Sequence, residues 1–186
     1  MGPSGVAPAP EARRTMTPPH ETALVDAART GDRAAFAELY ARYGPMVHGV
    51  LLARIPWRDA EDVVQDVFLA ALERLSTLRD AAAFGGWLLA IARHRAIDYH
   101  RRAREIVEPT PEPVAEDPSR SRAFAVLEVI RALPAAYRET LILRLVEGMT
   151  GPEIAARTGL TPASVRVNLH RGLKRLRARL REAEAT

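Results

Sequence analysis

The chain has 186 residues, 47% of them hydrophobic, with 27 Lys and Arg against 23 Asp and Glu and no cysteine. That length and apolar content suffice for one or two small cores, while the lack of thiols excludes disulfides, a cysteine nucleophile and thiolate zinc sites. No apolar run approaches the ~20 residues that span a bilayer, and the Pro- and Gly-rich start lacks the apolar core of a signal peptide, so a cytoplasmic chain without membrane insertion is expected.

Residues 1–20 hold five of the 14 prolines and little that could pack, which predicts a disordered tail, with Met16 a candidate initiator. Residues 21–104 read as helical throughout. "ALVDAARTGDRAAFAELYARYGPMVHGVLLARI", "DAEDVVQDVFLAALERL" and "FGGWLLAIARHRAIDYHRRAR" each place apolar residues three and four apart. Residues 105–121, "EIVEPTPEPVAEDPSRS", combine four prolines with five acids and predict a flexible, Pro-rich acidic linker. Helical spacing resumes over 122–186, where Leu127, Ile130, Leu133, Leu141, Ile142 and Leu145 form a second apolar stripe. No alternating strand pattern competes. The predicted fold is all-α: two small helical domains joined by that linker.

Because net charge is only +4, any strongly charged face must come from segregation along the chain. Residues 59–66 carry four carboxylates and no Lys or Arg; residues 154–181 carry eight Lys or Arg and no carboxylate. In the acidic helix, Ala60, Val63, Val64, Val67, Phe68, Ala71 and Leu72 form one stripe, leaving Glu61, Asp62, Gln65, Asp66 and Leu69 outward. A calcium loop needs a central Gly that is missing here, so neither metal nor cofactor is expected. The choice left open by spacing is between a solvated face and a docking face for a basic protein.

The next helix carries Arg93, His94, Arg95, His100, Arg101, Arg102 and Arg104, with Trp87 and Tyr99 among them. Such a mixture suits phosphate contacts beside unstacked bases. On spacing alone Trp87, Leu88 and Ile91 read as core.

Near the C-terminus, "TGPE" at 150–153 has the form of a capping box, Gly159 suits a left-handed stop, and Thr161 followed by Pro162 suits the start of another helix. Ile154, Ala155, Leu160, Val165 and Leu169 then point inward, and Ser164, Arg166, Val167, Asn168, His170, Arg171, Lys174 and Arg175 outward. This is a helix-turn-helix with a basic second helix. Arg can bond two guanine acceptors and Asn both adenine edges, each worth ~1–3 kcal/mol of discrimination in a major groove. A DNA-binding regulator would own such a pair as readily as other DNA-handling proteins. An enzyme is disfavoured: there is no Gly-rich phosphate loop and no His-rich metal spacing, and no catalytic residue is nominated.

"DAEDVVQDVFLAAL" resembles the core-polymerase-binding segment of bacterial sigma factors, in the extracytoplasmic-function (ECF) group of the sigma-70 family. "LVDAARTGDRAAFAELYARYG" resembles that group's opening helices. "FGGWLLAIARHRAIDYHRR" is similar to its minus-ten segment, and "LPAAYRETLILRLVEGMTGPEIAARTGLTPASVRVNLHRGLKRLRARL" to its region 4. The resemblance implies a promoter-specificity subunit. Asp59, Glu61, Asp62, Gln65, Asp66 and Leu69 would face core RNA polymerase. Asp80, Phe84, Trp87, Arg93, His94, Arg95, His100 and Arg101 would meet minus-ten promoter DNA, with 76–84 as the loop that captures a flipped base. Ser164, Arg166, Val167, Asn168, His170, Arg171 and Lys174 would read the minus-thirty-five element. It also implies an anti-sigma factor as partner. At Val167 and Asn168 the chain departs from the residues common in the family.

Overall fold

The computed structural model describes residues 19–105 and 118–184. The predicted tail, up to residue 18, and most of the predicted linker lie outside the described residues. Every regular element among them is helical, and no helix is long and apolar enough to cross a membrane.

The first unit is built on α2 (Arg33–Leu52), which packs against α1 (Pro19–Arg29), α3 (Trp57–Arg74) and α4 (Phe84–Glu105). A helix touched on several sides must be apolar on several sides. Leu39, Tyr43, Met46, Val47, Val50 and Leu51 are accordingly all buried. Asp32 starts α2, its carboxylate accepting from the amides of Ala34 at 2.8 Å and Ala35 at 3.1 Å, which satisfies two of the donors a helix start leaves open. The helix runs through Pro45 because Pro45 and Ala41, four residues earlier, are both exposed. Water can serve the carbonyl that proline cannot.

Between α3 and α4 the chain makes two short 3-10 turns, Leu75–Thr77 and Ala81–Ala83. Leu75 and Leu78 are buried, and Arg29 donates to the Leu78 carbonyl at 2.7 Å, so this loop is tied to α1.

The second unit comprises α5 (Pro118–Arg131), α6 (Ala135–Leu145), α7 (Gly151–Thr158) and α8 (Pro162–Glu184). Its first helix begins inside the stretch expected to be linker. The reason is Pro118, which is tolerated at a helix start because its missing N–H would lack a partner there anyway. The predicted capping box is present: Glu153 N–H donates to the Thr150 hydroxyl, and Thr150 N–H donates to the Glu153 carboxylate at 2.7 Å. The Thr150 N–H and, after it, the Thr150 hydroxyl, both donating to the Glu153 carboxylate, hold that carboxyl below its ordinary pKa. Gly159 ends α7 at φ 73°, a backbone conformation that costs a side-chain-bearing residue free energy.

Two residues expected inward are exposed: Leu72 at 49% and Leu145 at 50%. Both lie in the last turn of their helices. Ala71 and Leu75 on either side of Leu72 are buried, so Leu72 sits at the edge of the stripe on the side of exposed Leu69, whereas Leu145 ends α6 beside an equally exposed Val146.

The two units pack on each other, α6 against α2 and α7 against α4. Arg131 of α5 donates to the Leu52 carbonyl at 2.9 Å, an acceptor that the end of α2 leaves open, and to the Ile55 carbonyl in the turn that follows at 2.6 Å. Trp57 stacks on Phe124 with ring centroids 5.2 Å apart. His48 on α2 meets Glu147 at 2.8 Å, and that hydrogen bond raises the imidazole pKa against the opposing effect of burial.

Candidate docking and nucleic-acid faces

On α3 the buried stripe of Ala60, Val64, Val67, Phe68 and Ala71 turns the opposite side to solvent. Glu61, Asp62, Gln65 and Asp66 are exposed there, with Leu69 60% exposed among them. Asp62 and Asp66 form no ion pair with any described residue, and the Glu61 carboxylate adds to the upward shift of the His48 imidazole from a distance. Unpaired carboxylates beside exposed apolar surface match a basic partner with an apolar centre better than they match water. Leu72 extends that apolar strip by one turn. Asp59 is set apart from the others. It is half-buried, accepts from the Tyr99 hydroxyl at 2.6 Å and lies 3.6 Å from Arg58. Burial and this bond push the Tyr99 phenol up to about 12. The pair joins α3 to α4, a coupling across 40 residues that no local pattern announces.

On α4, His94, Ile97 and Arg101 lie three and four residues apart and are all exposed, Ile97 at 63%. Ile97 was not singled out by the sequence, although an apolar residue off the buried stripe is the signal that would have found it. An apolar side chain between cations offers a base a surface to lie on while the cations hold phosphate. Arg101 is held by Asp98 at 3.1 Å but stays 69% exposed. Arg95 is half-buried and His100 exposed, and the His100 Nε2 lies 2.8 Å from the Arg54 carbonyl. Arg93 is engaged by Glu139, a residue of the second unit.

Two nominated minus-ten residues are placed otherwise. Phe84 is 1% exposed, its ring edge-on to Tyr43 at 5.0 Å; it anchors the start of α4 in the core and presents nothing to a base. Trp87 is half-buried against the same cluster, 5.9 Å from Phe84, as its spacing predicted. Asp80 is exposed and caps the second 3-10 turn, accepting from the Ala82 amide at 3.0 Å.

On α8, Val165 and Leu176 are buried and Leu169, Leu173 and Leu180 pack on the core. The opposite side leaves Arg166, Val167, His170, Arg171 and Lys174 exposed. Arg166, Val167, His170 and Arg171 line a shallow notch, in which Val167 supplies apolar surface of the kind that meets a thymine methyl. Ser164 is exposed, but its hydroxyl lies 2.8 Å from that of Thr161, and its amide donates to the Thr161 hydroxyl at 3.1 Å. Its side chain therefore helps start α8. Asn168 is half-buried and lines a crevice of about 260 Å³ with Arg54, Arg93 and Glu139, away from the exposed notch. Arg175 lies over the Tyr137 ring at 5.5 Å, a cation–π contact that directs it back to α6.

Comparison with known proteins places these faces in context. Residues 39–106 match the family model described as Sigma-70 region 2, and residues 123–176 match Sigma-70, region 4. The chain is similar to the RNA polymerase sigma factor CarQ of Myxococcus xanthus, 34% identical over 84% of this chain and 95% of that one. It is also similar to the ECF RNA polymerase sigma factor SigD of Mycobacterium tuberculosis, 36% identical over 88% and 85%. Among solved structures it is similar to CnrH in complex with the cytosolic domain of CnrY, with a TM-score of 0.61, 28% identity, and coverage of 87% of this chain and 97% of that one.

Proposed function

The chain belongs to the ECF group of the sigma-70 family, and from that premise we propose how its faces divide the work of promoter-specific initiation. The α3 face, with Glu61, Asp62, Gln65, Asp66 and Leu69 exposed and Asp59 at its edge, docks on a basic helical surface of core RNA polymerase in the cytoplasm. The loop before Phe84 and the outward side of α4, with Asp80, His94, Arg95, Ile97, His100 and Arg101, take the melted minus-ten strand. Arg166, Val167, His170, Arg171 and Lys174 of α8 enter the minus-thirty-five major groove. Residues 106–117 connect the unit at 19–105 to that at 118–184. Holding an extruded base offsets the few kcal/mol lost in unstacking it, so strand opening by this division of labour needs no catalytic residue in the chain. An anti-sigma protein is the expected inhibitory partner.

The observation that carries the reading is the exposed side of α3, whose Asp62 and Asp66 carboxylates have no ion-pair partner among the described residues, while α8 exposes a basic reading face. A regulator acting by occupancy needs the second and has no use for the first. Selection of random duplex DNA tests this. Core polymerase loaded with the chain is expected to enrich sequences with two conserved blocks at a fixed spacing, and the chain alone to enrich little. Equal enrichment of a single block by the chain alone would identify a simple DNA-binding regulator instead.

A further inference from the structure

The contact between the two units is organised around one carboxylate. Glu139, on α6, is buried between Arg54, at the turn from α2 to α3, and Arg93 on α4. Arg93 meets it as a fork, Nη2 donating to Oε2 at 2.7 Å and Nε to Oε1 at 3.4 Å, while Arg54 donates to Oε1. Arg138 lies close by, its guanidinium pKa lowered first by burial and then by the charge of Arg54. The Nε atoms of Arg54 and Arg138 are buried with no hydrogen-bond partner among the described residues.

A guanidinium offers five N–H donors and a carboxylate about four acceptor positions. One carboxylate among three arginines therefore leaves donors unserved in a half-buried place, where unserved donors cost free energy. The site holds more positive charge than its present occupant neutralises. Arg93 rises from the same helix as His94 and Arg101, and the His100 ring sits on the Arg54 carbonyl, so Arg54 belongs to the edge of that basic surface. A phosphodiester presents two anionic oxygens that an arginine fork accepts as it accepts a carboxylate.

We propose that Arg54 and Arg93 form a backbone-phosphate site for promoter DNA, and that Glu139 fills this site as an internal stand-in, so that the packed arrangement of the two units is a self-masked form. DNA then competes with Glu139, and the units part when it wins. Asn168 lines the same crevice, so parting also returns that residue to the reading face of α8. The inference rests on the nucleic-acid reading of α4 and adds Arg54, which that reading does not include.

Two variants of the full chain separate the units by different means. Glu139→Gln removes the charge. Gly49→Ala leaves Arg54, Arg93 and Glu139 untouched but places a Cβ 2.9 Å from both Glu147 Cγ and Leu143 Cδ2 across the contact, and alanine favours the α2 helix it enters. The probe is a fluorescein-labelled 20-nucleotide single-stranded DNA followed by anisotropy, with the radius of gyration from small-angle scattering as the structural readout. Both variants are expected to expand the chain and tighten DNA binding by about tenfold, the gain for a chain that is one-tenth open at rest. Adding Arg54→Gln to Gly49→Ala is expected to return the affinity toward that of the wild type and to reduce the salt slope by about 0.7, one phosphate contact on a single strand. Should Glu139→Gln fail to fold, Gly49→Ala carries the test alone. The proposal is overturned if neither variant tightens binding, or if Arg54→Gln leaves the affinity of Gly49→Ala unchanged. Core-dependent DNA selection by the wild type is read separately, so failure of the internal mask is distinguishable from failure of the sigma-factor reading.

Discussion

Reversing two charges on α3, Asp62→Arg together with Asp66→Arg, is expected to weaken binding to core RNA polymerase by about 100-fold or more, equivalent to ~2.8 kcal/mol. Both carboxylates are exposed, neither forms an ion pair with a described residue, and the buried stripe of α3 is on the other side. Arginine is also a better helix former than aspartate. The melting temperature should therefore stay close to that of the wild type while the complex is lost. Against a basic partner surface the change replaces two attractions with two like-charge contacts, and such juxtapositions cost several kcal/mol. Titration of labelled core polymerase with each chain measures the effect. Unchanged affinity would mean that the face is merely solvated and that docking lies elsewhere.

Phe84→Ala is expected to destabilise the first helical unit by about 3–5 kcal/mol, the usual range for emptying a buried aromatic site. In a unit of this size that lowers the melting temperature by more than about 10 °C. The ring is 1% exposed and packs edge-on to Tyr43, a geometry that adds to its burial. Phe84→Leu, which keeps much of the apolar volume, should cost considerably less. Thermal unfolding followed by circular dichroism distinguishes this account from a direct DNA role. A base-contacting Phe84 would leave the melting temperature where it was and impair only strand capture.

The difference between the α3 carboxylates and Phe84 shows what could be read in advance. The acidic side of α3 was legible because a period of 3.6 residues sorts one helix into two sides, and Glu61, Asp62, Gln65, Asp66 and Leu69 fall on the side that the structure leaves open. Thr150, Glu153 and Gly159 were legible because capping is a contact between near neighbours. Phe84 was assigned through the family loop rather than through its own spacing, and packing decided otherwise. Leu72 and Leu145 failed for a different reason: periodicity indicates which way a side chain points but not how wide the covered stripe is, and Leu72 falls at its edge beside Leu69 while Leu145 falls at the end of α6.

Contacts between distant residues were not legible at all. Arg54 with Glu139 spans 85 positions, and His48 with Glu147 spans 99. Nothing local to Glu139 separates it from the many solvated carboxylates on helices. Its burial follows from the packing of α6 on α2, which also takes Arg93 out of a purely exposed face. The basic character of α4 could be read from composition, but the present occupant of one of its arginines could not.

Promoter-specific initiation by this chain is read by run-off transcription, using purified core polymerase free of other sigma factors and templates recovered by the DNA selection. Transcripts with discrete start sites are expected when core and chain are combined, with none from either alone and none when Asp62→Arg/Asp66→Arg replaces the wild type. Absence of any chain-dependent start site on those templates, or equal transcription with the charge-reversed chain, would overturn the assignment of the α3 face and of the chain's role in initiation.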